Sequence, residues 1–143
     1  MLPIKKVVVA FDGSPSAYKA FDFALEMSTR YQGGGYEIFV ISVVQPPEPA
    51  DIVEMDAIID AGKEHYETLF AELRDKAKGC PAPITTEVLI GHPADQIVHY
   101  AAEKECDMVI IGQRGKSRIE QWLLGSVSKR VASYVHCTVT IVK

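Results

Sequence analysis

The chain has 143 residues, 48% hydrophobic and 24% charged, which is enough to bury one core and fits a single domain over 1–143. Fifteen Lys and Arg stand against nineteen Asp and Glu for a formal charge of −4, so the chain lacks the positive footprint that grips a nucleic acid backbone. Its three cysteines, Cys80, Cys106 and Cys137, have no Cys-x2-Cys spacing, which argues against a disulfide framework or a zinc site and for the reducing cytoplasm.

The first apolar segment, residues 7–11, stops at Asp12. It is too short for a signal peptide, and no run approaches the ~18 apolar residues of a membrane span. Being continuous, it reads as a strand buried on both faces, turned by Asp12-Gly13-Ser14-Pro15. From Ser16 the period changes. Ala17, Ala20, Phe21, Ala24, Leu25 and Ser28 recur at helical spacing until Gly33-Gly34-Gly35, predicting a helix with a glycine terminator. Residues 38–44 form a second buried strand, closed by Gln45-Pro46-Pro47-Glu48-Pro49, a segment that continues neither a helix nor a central strand. Met55, Ile58, Ile59, Gly62, Tyr66, Leu69, Phe70, Leu73 and Ala77 keep a helical stripe for six turns, and Gly79-Cys80-Pro81 ends it. A third strand is predicted at 84–90, a helix through Ala94, Ile97, Val98, Ala101 and Ala102, a short strand at 108–111, a helix at 126–135 and a last strand at 138–142. This alternation predicts an α/β fold: an open, mainly parallel five-stranded sheet with right-handed crossovers and helices on both faces. Ligands of such sheets sit beyond the carboxyl ends of strands, where strand order reverses, so a site belongs after Phe11, Val44, Ile90 or Ile111.

After the fourth strand, Gly112-Gln113-Arg114-Gly115-Lys116-Ser117 contains Gly-Lys-Ser, but only two residues separate Gly112 from it. A P-loop needs four. The segment reads instead as two glycines three apart, then nine residues, then Gly125-Ser126 opening a helix. Gly112 and Gly115 lack Cβ atoms, so the chain there can adopt positive φ and bring N–H groups close to an anion. Ser126 is a favoured N-cap type, and the free amides of that helix start form an anion seat. Lys129 and Arg130 follow in its first turn. They stand against the preference of the helix dipole, a cost that a bound phosphate offsets.

Val7-Val8-Val9-Ala10-Phe11-Asp12-Gly13-Ser14, Gly91-His92-Pro93-Ala94, and Asp107-Met108-Val109-Ile110-Ile111-Gly112 running into Gly125-Ser126-Val127-Ser128 together resemble the universal stress protein family over essentially the whole chain. In that family Gly-x2-Gly-x9-Gly-Ser/Thr marks the ATP-binding members, and the chain matches it at Gly112, Gly115, Gly125 and Ser126. The resemblance implies a Rossmann-like sheet of the adenine nucleotide alpha hydrolase type, with ATP (AMP or ADP as smaller alternatives) across the ends of the first, second and fourth strands. It implies that Asp12 contacts ribose or a phosphate-bound Mg or Mn ion, that Ala10 and Phe11 line the adenine side, and that main-chain groups at Val43 pair with adenine. Ile111, Gly112, Gly115, Gly125, Ser126 and Val127 would hold ribose and phosphates, with charge from Arg114 favouring a triphosphate. It also implies a homodimer through residues 138–142. Two positions depart from the family pattern: Ser42-Val43 replaces His-Val, and Cys137-Thr138 replaces Cys-Pro.

The expected function is therefore that of an ATP-binding stress-response module with little or no hydrolysis. No catalytic base is placed by motif once Asp12 is assigned to ribose or metal. Two alternatives stand beside it: a slow ATPase or ATP-dependent transferase, and a nucleotide-free interaction or chaperone-like module. The four histidines, His65, His92, His99 and His136, form no metal-binding pattern. Trp122, Leu123 and Leu124 read as a patch packed onto the domain.

Overall fold

The computed structural model describes residues 3–30, 36–47, 51–113 and 124–143. In chain order its elements are β1 (Lys6–Ala10), α1 (Pro15–Arg30), β2 (Glu37–Val44), α2 (Ile52–Lys76), β3 (Ile84–Ile90), α3 (Pro93–Glu103), β4 (Met108–Gly112), α4 (Ser126–Tyr134) and β5 (Thr138–Val142). The strands form one parallel sheet in the order β3-β2-β1-β4-β5. Strand order reverses between β1 and β4, so the crevice above their carboxyl ends is the position where such sheets take ligands.

Strands β1 and β4 are buried on both faces, which is why their sequences run apolar without alternation. Alternate residues enter two cores. Val7, Val9, Ile38, Val40 and Ile110 meet Phe21 of α1 and Phe70 and Leu73 of α2 on one face. Val8, Phe39, Ile41, Val109 and Ile111 meet Ile97 and Tyr100 of α3 and Val131 of α4 on the other. Cys106 belongs to the second core at 2% exposure, and burial pushes its thiol up to about 12. It is protonated at neutral pH and fills space as a small apolar residue.

Helix α2 is longer than its apolar stripe suggests. It begins at Ile52 on an Asp51 cap, whose Oδ1 accepts the Glu54 N–H at 2.8 Å. Only Tyr66, Phe70 and Leu73 are buried along it, while Ile52 and Val53 are each 78% exposed. Length explains this. A helix of 25 residues spans about 37 Å at ~1.5 Å per residue, whereas the seven residues of β3 span about 23 Å. Gly62 packs on Val44 at the end of β2, so the turns of α2 that precede it run past the sheet.

The glycine run at 33–35 and most of the connection predicted between β4 and α4, including Arg114, Gly115, Trp122 and Leu123, lie outside the described residues, as do residues 48–49 of the proline-rich bend. Among the described residues no helix is long and apolar enough to cross a membrane.

Candidate functional site

A cavity of about 520 Å³ opens above the carboxyl ends of β1, β2 and β4. Ala10, Phe11, Asp12, Val43, Ile111, Gly112, Ser126 and Val127, all expected from the sequence, line it. Gly125 is not among its lining residues, and Arg114 and Gly115 lie outside the described chain. The walls also include Ser14 and Ala17 of the α1 start, Tyr66 of α2, Pro93 and Ile97 of α3, and Ser128 of α4. None of these was expected from the sequence. Tyr66 and Ile97 carry no separate signal, because they belong to the stripes that pack their helices.

The starts of three helices converge on this space. The tight turn after β1 places Gly13 at φ +82°, a conformation that favours glycine. Asp12 Oδ1 accepts the Ser14 N–H at 2.9 Å, and Ser14 Oγ accepts the Ala17 N–H at 3.2 Å. Ser14 therefore caps α1, with Pro15 at its first position, where a missing N–H costs nothing. Asp12 serves the turn through one oxygen and faces the cavity, so turn chemistry and ligand contact are compatible in one residue. Pro93 likewise opens α3, and Ser126 opens α4. The cap of α4 is Gly125, with no side-chain cap bond, so Ser126 is the first helical residue and not the expected N-cap. Neither α1 nor α4 has an acidic residue in its first turn, which leaves their positive dipole ends available to an anion.

Gly112 does not take the positive φ that the sequence allowed it. The described glycines with positive φ are Gly13, Gly79 and Gly91. At Gly112, a Cβ would stand 2.8 Å from the Ser16 carbonyl carbon and collide with its side chain. The glycine lets the first turn of α1 lie directly on the end of β4. It shapes the crevice by bringing its two walls together.

Main-chain polarity at the strand ends follows from register. Ile41 O accepts the Phe11 N–H at 2.8 Å, and Val44 O accepts the Gly91 N–H at 3.0 Å on the opposite side of β2. Strand alternation then directs the N–H and C=O of Val43 toward the β1 side, beyond the point where β1 has left the sheet. Two buried serines complete the crevice. Ser42 Oγ donates to Phe11 O at 2.6 Å, and Ser128 Oγ donates to Gly112 O at 2.7 Å. Each occupies a carbonyl that the end of β1 deprives of a sheet partner. Replacing either serine by alanine is expected to cost about 1–2 kcal/mol, since it leaves a buried acceptor unpaired. Urea denaturation checks this, and an unchanged midpoint would mean that another donor reaches the carbonyl.

The family model for the universal stress protein family matches residues 3–143. The chain belongs to this family. Universal stress protein MJ0531 of Methanocaldococcus jannaschii is 32% identical over 143 residues, an alignment covering 97% of this chain and 82% of that protein. Universal stress protein UspA from Lactobacillus plantarum superposes with a TM-score of 0.89 at 21% identity, over 100% of both chains. A universal stress protein in complex with cAMP superposes with a TM-score of 0.72 at 27% identity, over 98% of this chain and 97% of the other. The Rossmann-like universal stress architecture expected from the sequence is the one the chain adopts.

Proposed function

We propose that this universal stress protein binds adenine nucleotide, ATP foremost, in the crevice above β1, β2 and β4 and works as a nucleotide-dependent regulatory module. The observation that carries the reading is one cavity that joins an apolar slot beside the Val43 main chain to uncompensated starts of α1 and α4. A flat base with donor and acceptor edges suits the first part, and phosphates suit the second. The related universal stress protein in complex with cAMP supports an adenine ligand. In this reading Ala10, Phe11 and Val43 hold the base and Asp12 the ribose or a phosphate-bound Mg or Mn ion. Ile111, Gly112, Arg114, Gly115, Gly125, Ser126 and Val127 hold ribose and phosphates. The donor set fits an ion carried in by the nucleotide: the described residues contain no cluster of three His, Cys, Asp or Glu able to hold one independently.

Among the described lining residues Asp12 is the only carboxylate, and none is His, Lys or Arg. That composition supports binding with at most weak hydrolysis, because turnover needs an oriented water and stabilisation of developing charge. We also read the chain as a homodimer through β5, a sheet edge whose Val139, Ile141 and Val142 stay partly exposed. A cytoplasmic location goes with it, since Cys80, Cys106 and Cys137 are free thiols.

Protein purified, heated and extracted should release adenine nucleotide. ATP with Mg²⁺ at a hundredfold excess over Kd should stabilise the fold by about 2.7 kcal/mol, raising Tm by about 5–10 °C. If neither happens, the nucleotide-free interaction module becomes the better reading. Steady multiple turnover of ATP alone near the ~10 s⁻¹ of ordinary enzymes would favour the enzyme reading.

A further inference from the structure

Of the three helix starts that meet at the cavity, α3 alone carries a first-turn carboxylate, Asp95. Asp95 Oδ1 lies 3.5 Å from an Arg130 guanidinium nitrogen on α4, and its Oδ2 lies 3.8 Å from His92 Nδ1. The Arg130 guanidinium also sits over the Tyr134 ring, 5.9 Å from its centroid. Arg130 stands one helical turn beyond Ser126 on the same side of α4, and Ser126 lines the cavity. This cation is thus rooted one turn from the anion seat, outside the cavity lining, and is engaged by a carboxylate.

Resting on the nucleotide reading above, we propose that the Asp95–Arg130 ion pair sets how many phosphates the site accepts. With the pair closed, Arg130 is tied to α3, and a nucleoside monophosphate binds without it. A nucleoside triphosphate reaches farther along the α4 start and gains Arg130 only by drawing it from Asp95, whose negative charge meanwhile opposes the added phosphates. The pair is a selectivity element: it narrows the advantage that the helix starts would otherwise give ATP over AMP. Its side chains are 53% and 60% exposed, so the effect on folding is small and the effect on ligand choice is what an experiment reads.

The test is the ratio of AMP Kd to ATP Kd, measured by calorimetry with Mg²⁺ present. Asp95→Asn should raise the preference for ATP by up to about fivefold, the upper end of what an exposed ion pair is worth, with AMP affinity nearly unchanged. Arg130→Gln should lower the ATP preference and also leave AMP nearly unchanged. In the Arg130→Gln background, Asp95→Asn should have much less effect, because the carboxylate acts mainly through the arginine. An unchanged ratio in Asp95→Asn, an equal change for both nucleotides, or the full effect persisting without Arg130 would overturn the proposal. If the unmutated protein binds AMP and ATP, those results reject the ion-pair role alone; if it binds neither, the nucleotide reading itself fails and the ion-pair role with it.

Discussion

Gly112→Ala is expected to lower stability by about 3 kcal/mol, the upper end of what overpacking costs, and to weaken ligand binding at the same time. The added methyl group meets the Ser16 main chain at 2.8 Å. Backbone at the start of a helix cannot rotate away as a side chain can. Helix α1 must therefore retreat from β4, taking Ser14 and Ala17 out of the cavity wall. Thermal denaturation should show Tm falling by about 6–12 °C, and calorimetry should show ATP affinity falling with it. A variant that melts like the parent would mean that α1 can shift freely, and the close approach would lose its structural importance.

The largest loss of stability is expected from Phe70→Ala, about 3–5 kcal/mol. Phe70 is fully buried in the core between α1, α2 and the sheet, and its ring stacks at 6.4 Å on Tyr66. Because the first turns of α2 run past the sheet, Phe70 and Leu73 are the only fully buried side chains along this helix. Beyond these two, Tyr66 is the one other buried residue of α2 and Leu69 is partly buried against the same core. Tyr66 should lose its position on the cavity wall, so nucleotide affinity falls even at temperatures where the variant remains folded. Urea titration with a binding measurement at low denaturant separates the two effects. Full affinity in a destabilised variant would show that Tyr66 keeps its place without Phe70.

Periodicity was a sufficient guide to the elements because each strand and helix here is amphipathic or buried in the ordinary way. The stripe from Met55 to Ala77 gives the helix correctly but not its burial. Burial depends on where β2 and β3 end, which no window along α2 contains. The Gly112 to Ser126 pattern begins and ends on residues of the cavity wall, whereas the reason for Gly112 depends on Ser16, a residue brought to it by the crossover. Ser42 and Ser128 have no sequence signal as carbonyl partners. Isolated serines in an apolar strand or a helix start look alike whether they face a backbone acceptor or solvent. The Asp95–Arg130 pair is equally silent, since only the packing of α3 beside α4 brings the two side chains together.

The orientation of Val43 has a consequence for how such a site can change over generations. Its main-chain N–H and C=O are aimed by the pairing of β2 with its neighbours, with Ala10 opposite Ile41 and Val44 opposite Ile90. The identity of the side chain at 43 does not enter. Substitutions at 43 itself can accumulate without erasing what a bound base would meet. Loss or gain of one residue within β2 would turn those groups toward β3 and remove them at once. Strand length is thus the inherited quantity at this position, and spelling is comparatively free.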